Sequence, residues 1–248
     1  MASRRSRTLR FWDKINAGGR KHDLFRDRDR VILAVSGGPD SAAMLDFFAK
    51  QARNRRLTLL IAHLNHKIRG KEADRDEAFV KKLGRTYGLE TVTGRAGVPA
   101  LAKKLKISVE HAARRARYDF LTGLALKRKF RLIATAHHAD DHAETFLLNL
   151  LRGTEPKGLL GIPVSRALHG RGASAIRVIR PLLPVTRAEI MEYLELNDLS
   201  YRNDKSNEDE KYRRNWLRKT LIPLIEKKQP RFKTHLTELS AKLALLVR

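Results

Sequence analysis

A chain of 248 residues, 42% of them apolar, is long enough for one large domain whose core needs no covalent staple. It contains no cysteine, so disulfides, thiolate metal sites and persulfide chemistry are excluded, and no apolar run reaches membrane-spanning length. The formal charge of +25, from 52 basic and 27 acidic side chains, is large for a soluble enzyme and points to a polyanionic partner, most commonly nucleic acid.

Residues 1–28 read as a basic N-terminal segment. Their Asp13, Asp23 and Asp27, followed by Asp29, fit an organellar transit peptide poorly, so the cytoplasm is the expected location. Beyond them, apolar runs at 31–36, 57–64, 89–93 and 131–136 predict strands. Helical patterns follow each one, over 40–51, 74–87, 98–106, 108–127 and 140–151, with Ser108 a candidate N-cap. A Gly/Pro loop covers 153–161. Residues 162–164 and 176–179 are expected to pair as a hairpin around a glycine-rich tip at 170–172. A helix over 187–196, a polar stretch at 201–210 and two basic helices broken at Gln229-Pro230 complete the chain. Strands alternating with helices predict a doubly wound parallel α/β sheet, whose ligands sit beyond the strand C-termini. The expected division is a catalytic domain over 29–215 and a basic helical tail over 216–248.

The candidate chemistry therefore lies at the strand ends. Val31–Val35 runs into Ser36-Gly37-Gly38-Pro39-Asp40-Ser41. Paired glycines let backbone N–H groups converge as an anion nest, and the following helix N-terminus adds positive charge. Asp40 makes sense beside phosphates if a divalent metal bridges them. The loop lacks the G-x-x-x-x-G-K-[ST] spacing of the other common phosphate loop. The second strand leads to His63, Asn65, His66 and Arg69. Its two histidines, three apart, should lie on opposite faces, so they do not read as a metal pair, whereas Asn65, His66 and Arg69 suit a nucleotide or RNA phosphate. Glu110, Arg114 and Arg117 share one helical stripe; a Glu110–Arg114 salt bridge is the simplest reading, but the surplus arginines suit phosphates. After the fourth strand, His137 to Glu144 holds three acids and three histidines in eight positions, more than helix capping requires. Asp141 and Glu144, at i and i+3, are expected to face one cleft. Arg214 and Arg218, at i and i+4, would enter it or hold RNA. Two tracts are strongly basic: 101–131 has ten Lys/Arg against Glu110 and Asp119, and 211–248 has eleven against Glu226 and Glu238. With 6% aromatic residues, these suit phosphate tracking better than base stacking.

The Ser36–Ser41 loop resembles that of the N-type ATP pyrophosphatases. Six stretches in order resemble the tRNA(Ile)-lysidine synthetases more specifically. They are this loop; His63 to Arg69; Glu110 to Tyr118; His137 to Gly153; Arg180-Pro181-Leu182; and Asp204, Ser206, Asn207, Tyr212, Arg214, Asn215 and Arg218. The resemblance implies adenylation of the C2 oxygen of a wobble cytidine by ATP with Mg²⁺, then displacement of AMP by free L-lysine. It implies Ser36, Gly37, Gly38, Pro39, Asp40 and Ser41 for the nucleotide, with Asp40 also on the metal. Asp141 and Glu144 would grip the lysine ammonium and Arg214 its carboxylate or the phosphates. His66, Arg69, Arg114, Arg117 and Arg218 would meet nucleotide or tRNA. The implied partners are tRNA(Ile) and lysine, with no membrane and with a homodimer left open. A thiolating enzyme of the same fold is disfavoured by the absence of cysteine, and an inert RNA-binding protein by the presence of Asp40, Asp141 and Glu144. The chain departs from the family pattern at His142, where Gln is usual, and at Ile162, where Met is usual. The His142 change reads as outward-facing and of little consequence. Only about thirty residues follow Arg218 where many members carry further domains, so the chain reads as a catalytic domain with a short tail.

Overall fold

Near-continuous aliphatic runs suit strands covered on both faces, and the chain uses them that way in a computed structural model describing residues 3–203 and 213–247. Among these residues a six-stranded sheet has the order β3-β2-β1-β4-β6-β5. β1 (Arg30–Ala34), β2 (Thr58–Asn65), β3 (Thr91–Arg95), β4 (Leu132–Ala134) and β6 (Ile176–Ile179) run parallel, and β5 (Ser165–His169) is an antiparallel edge. The period of two along each strand divides the core. Val31, Leu33, Leu132 and Ala134 enter one cluster with Phe47 and Phe48, while Ile32 and Ile133 enter another with Leu121 and Leu124. Strand order reverses beside β1 and β4, so the crevice at the topological switch lies between the loops that leave them.

Helices cover both faces. They are α1 (Arg4–Lys21), α2 (Pro39–Arg55), α3 (Lys71–Tyr87), α4 (Val98–Leu105), α5 (Val109–Arg128), α6 (Ala139–Leu151) and α7 (Arg187–Leu196). The expected Ser108 cap is present, its hydroxyl accepting from His111 N at 3.2 Å. α8 (Arg213–Trp216) passes through a π-helical turn (Leu217–Leu221) into α9 (Ile222–Lys228), and α10 (Phe232–Leu246) follows. Leu217, Ile222 and Leu236 bury against Ala143, Phe146 and Leu147 of α6.

The sheet, its parallel sense and the alternating helices match the expected fold class. Two features differ from the local reading. The strand paired with β6 is Ser165–His169, not 162–164. Residues 162–164 serve instead as a crossing segment, where Val164 O accepts from Arg180 N at 2.9 Å and Pro163 O from the Arg180 side chain. The first thirty residues also contain a helix. Phe11, Trp12 and Ile15 form a narrow apolar stripe among arginines, and Phe11 stacks on Tyr193 of α7 with ring centroids 4.2 Å apart. Trp12 Nε1 donates to Tyr193 Oη at 2.9 Å, and Tyr193 and Tyr87 both donate to the buried Asp46 of α2. Ile15 is fully buried, so Ile15→Ala is expected to destabilise the whole domain by about 2–5 kcal/mol, read as a shifted midpoint in urea at unchanged m-value. Among the described residues no helix is long and apolar enough to cross a membrane.

Candidate functional site

The turn after β1 is built from hydroxyls and missing side chains. Gly37 takes φ +93°, and a Cβ there would press on Phe79 at 3.3 Å. Ser41 Oγ accepts from Ser36 N and from Gly37 N, each at 3.2 Å, and donates to Gly38 O at 2.9 Å. Ser36 Oγ accepts from Gly38 N at 3.3 Å. Three backbone N–H groups of successive residues thus donate to the hydroxyls of Ser36 and Ser41, acceptors that an anion's oxygens could replace. Pro39 opens α2, which aims its N-terminus at the same place. Arg202 N closes the turn from outside by donating to Gly37 O at 2.9 Å.

The acidic side begins where β4 ends. His138 caps α6, and its backbone N–H donates to Asp141 Oδ2 at 3.1 Å. The His138 ring sits among three carboxylates: Asp140 and Asp141 at 3.5 Å and Asp40 at 3.6 Å. Burial would lower its pKa, but these acids outweigh burial and raise it. Burial likewise pushes Asp140 up, yet His138, Lys233 Nζ at 2.6 Å and Arg187 N at 2.7 Å hold it well below the usual carboxylate range. Asp40 also receives the Arg187 guanidinium.

The predicted residues do not all meet in one way. Ser36, Asp40, Ser41, His66, Arg69, Arg117 and Asp141 line one cleft of about 540 Å³ with His63 and His137. His63 and His66 therefore share a cavity despite their spacing. His66 lies past the end of β2, and His63 turns Nδ1 to Val35 O at 2.9 Å. Among the described residues no group of three His or acidic side chains could hold a metal alone. Burial, then Arg117, lowers His66 to about 4, and burial, then Arg180, lowers His137 to about 3. Asn65 lines the same cleft and also has a structural role. Its amide donates to Ala73 O, Asp74 and Glu77, fastening β2 to α3.

Glu144 lies deeper than Asp141. It is fully buried, and Arg218 meets it bidentately, Nε to Oε1 at 2.6 Å and Nη2 to Oε2 at 3.1 Å. The same guanidinium lies 3.7 Å from Asp141, so it links the two acids. Burial raises the Glu144 pKa against the pull of Arg218. Arg214 donates to Thr145 Oγ1 at 3.0 Å and stands 3.9 Å from Glu144 and 3.6 Å from Glu110. Arg114 lies over the Tyr118 ring instead, with Arg166 of β5 also near that ring. Asp204, Ser206, Asn207 and Tyr212 lie outside the described residues. Arg187 and Lys233 were not singled out from the sequence. The Thr186–Glu189 capping box marks the start of α7 and was a local signal for Arg187; Lys233 had none.

His142 reverses its expected role. It is 7% exposed, its Nδ1 accepts from Ile162 N at 3.2 Å, and its Nε2 donates to Ser240 Oγ at 3.1 Å. Ser240 then donates to Leu159 O at 3.1 Å, so the ring ties α6, the 153–161 loop and α10 together. The residue change faces inward, and Gly161, at φ +62°, leaves the room it needs: a Cβ there would lie 2.5 Å from the ring. Burial lowers the pKa of His142, as it does for His63, His66 and His137. The unfolded chain therefore binds more protons, and stability should be fully present above about pH 6.5 and fall as acid is added. His138, with its raised pKa, opposes this loss. His142→Gln, which offers the same acceptor and donor without the titration, should flatten the fall of Tm between pH 7 and 5 by about 2–4 °C.

A PP-loop domain family matches residues 10–225. The chain is 41% identical over 231 residues to a tRNA(Ile)-lysidine synthase from Geobacter sulfurreducens, covering 93% of this chain and 47% of that protein. A namesake from Chlorobaculum tepidum is 42% identical over 84% of this chain and 60% of its own length, and one from Geobacillus kaustophilus is 37% identical over 94% and 49%. The chain thus spans about half the length of these curated relatives. By structure it is similar to the U34-tRNA thiolase NcsA of Methanococcus maripaludis, with TM-score 0.76 and 19% identity over 97% of this chain and 79% of that one. An NH3-dependent NAD synthetase from Campylobacter jejuni gives 0.52 and 15% over 98% and 93%. These two likenesses concern the fold.

Proposed function

The chain belongs to the PP-loop domain family, and on that premise we propose that it joins free lysine to C2 of the wobble cytidine of a CAU-anticodon tRNA(Ile), converting ATP to AMP and pyrophosphate. One observation carries this reading: the phosphate-cradling turn and Asp141 line the same cleft, as an adenylated intermediate attacked in place requires.

The chemistry has two displacements. The cytidine C2 oxygen attacks the α-phosphorus and pyrophosphate leaves, held by the N–H groups around Ser36, Gly37 and Gly38. The lysine ε-amine then attacks C2, the C2–O bond breaks, and AMP leaves. Lysine arrives protonated at neutral pH, so a carboxylate must orient it and accept its proton. Asp141 faces the cleft for that purpose. Glu144, with its pKa raised by burial, stands behind it, joined to it through the Arg218 guanidinium, and is assigned with it to the lysine ammonium. Arg214 is assigned to the lysine carboxylate or the phosphates, and His66, Arg69, Arg114 and Arg117 to nucleotide or tRNA. Mg²⁺ fits the hard oxygen donors of Asp40, with Asp141 nearby, and when bound would offset charge on the departing pyrophosphate. The proposed catalytic residues Asp40, Asp141, Glu144 and Arg214 fall within 29–215, and the cytoplasm, where tRNA and free lysine coexist, is the proposed location.

The test is incorporation of labelled lysine into a tRNA transcript with a CAU anticodon. The expected result is incorporation that requires ATP and is matched by AMP release. Its absence, with RNA binding retained, would mean an inert basic module.

A further inference from the structure

Among the described residues, Lys233, His138 and Arg218, three of the cationic groups beside the acids of the loop and of α6, are committed. Lys233 is 19% exposed and lies between Asp140 at 2.6 Å and Glu226 at 3.1 Å. His138 is 4% exposed within its ring of carboxylates. Arg218 uses both arms of its fork on Glu144. Arg187 differs. It is 39% exposed and meets Asp40 through Nη1 alone among the described residues, leaving most of a planar five-donor fork for other oxygens.

The placement is also anchored. Arg187 N donates to Asp140 Oδ2 at 2.7 Å, and the Thr186–Glu189 capping box fixes the first turn of α7 on which Arg187 stands. The side chain thus projects from a rigid start toward Asp40, itself on the turn whose N–H groups cradle phosphate. A triphosphate brought there meets Asp40, Asp140 and Asp141, and the repulsion has to be offset by a cation able to leave a carboxylate for a phosphate.

We propose that Arg187 is a phosphate-binding residue of this site, its guanidinium passing from Asp40 to the β- and γ-phosphates of the bound nucleotide. The inference rests on the ATP-dependent reading above and adds a residue that reads the number of phosphates. Binding of the α-phosphate and nucleoside does not involve it.

Calorimetric titration of the full chain with MgATP and, separately, with AMP tests this. Arg187→Ala is expected to weaken MgATP by roughly 10- to 100-fold and to leave AMP unchanged. Arg187→Lys should retain part of the difference, since charge survives but the fork does not. The substitution leaves the backbone bond to Asp140 in place, so melting temperature should hold. Equal weakening of ATP and AMP would overturn the proposal, by showing that Arg187 only orders Asp40; so would unchanged ATP affinity. Failure of the unsubstituted protein to bind MgATP would overturn the proposed function as well.

Discussion

Asp40→Ala is expected to abolish the first displacement, with tRNA-dependent exchange between ATP and pyrophosphate falling at least about 100-fold. Asp40 is the acid on the loop itself. It lines the cleft, faces the His138 ring at 3.6 Å and holds Arg187. Removing it deletes the oxygen donor assigned to Mg²⁺ and leaves Arg187 without its carboxylate partner. Folding should persist, because Asp40 stands on the first turn of α2 and is 29% exposed, unlike the buried residues that follow it. A variant that kept full exchange activity would remove Asp40 from the chemistry.

Glu144→Gln is expected to separate the two displacements. Adenylation should stay within about tenfold of the unsubstituted protein, while lysine transfer should fall by about 100-fold or more. Rapid-quench measurement of pyrophosphate release and of lysine incorporation reads the two steps separately. Gln preserves the shape at a fully buried position, whereas Glu144→Ala would also leave Arg218 facing a void. Arg218 is 42% exposed and can turn to water, so the loss of stability should be modest for Glu144→Gln. Intact lysidine formation would refute the assignment of Glu144 to the amine.

What was legible in the chain was local. The run into Ser36 and the paired glycines define a strand, a turn and a helix start through contacts no more than five residues apart. The acids of α6 were visible for the same reason, but not their surroundings: Asp141 lines the cleft, whereas Glu144, expected to face it too, is fully buried against Arg218. His142 shows the limit. Its position on an acidic, histidine-rich turn suggested an outward face, but its partners Ile162 and Ser240 lie 20 and 98 residues away. The α1 helix was obscured by arginines whose pairs, such as Arg7 with Glu192, form only after folding.

The alternation of the parallel strands with their helices, the glycine turn after β1 and the positive charge that calls for an anionic partner were determined by the sequence itself, because periodicity and turn chemistry act over a few residues. Tertiary structure alone decided which cation faces which acid. Arg187 reaches Asp40 across 147 residues and Arg218 reaches Glu144 across 74, and a chain with 52 basic side chains offers far too many candidates for spacing to choose among them. The choice falls to the switch point between β1 and β4, where the sheet brings separate loops together and burial makes an unpaired charge too unfavourable to persist.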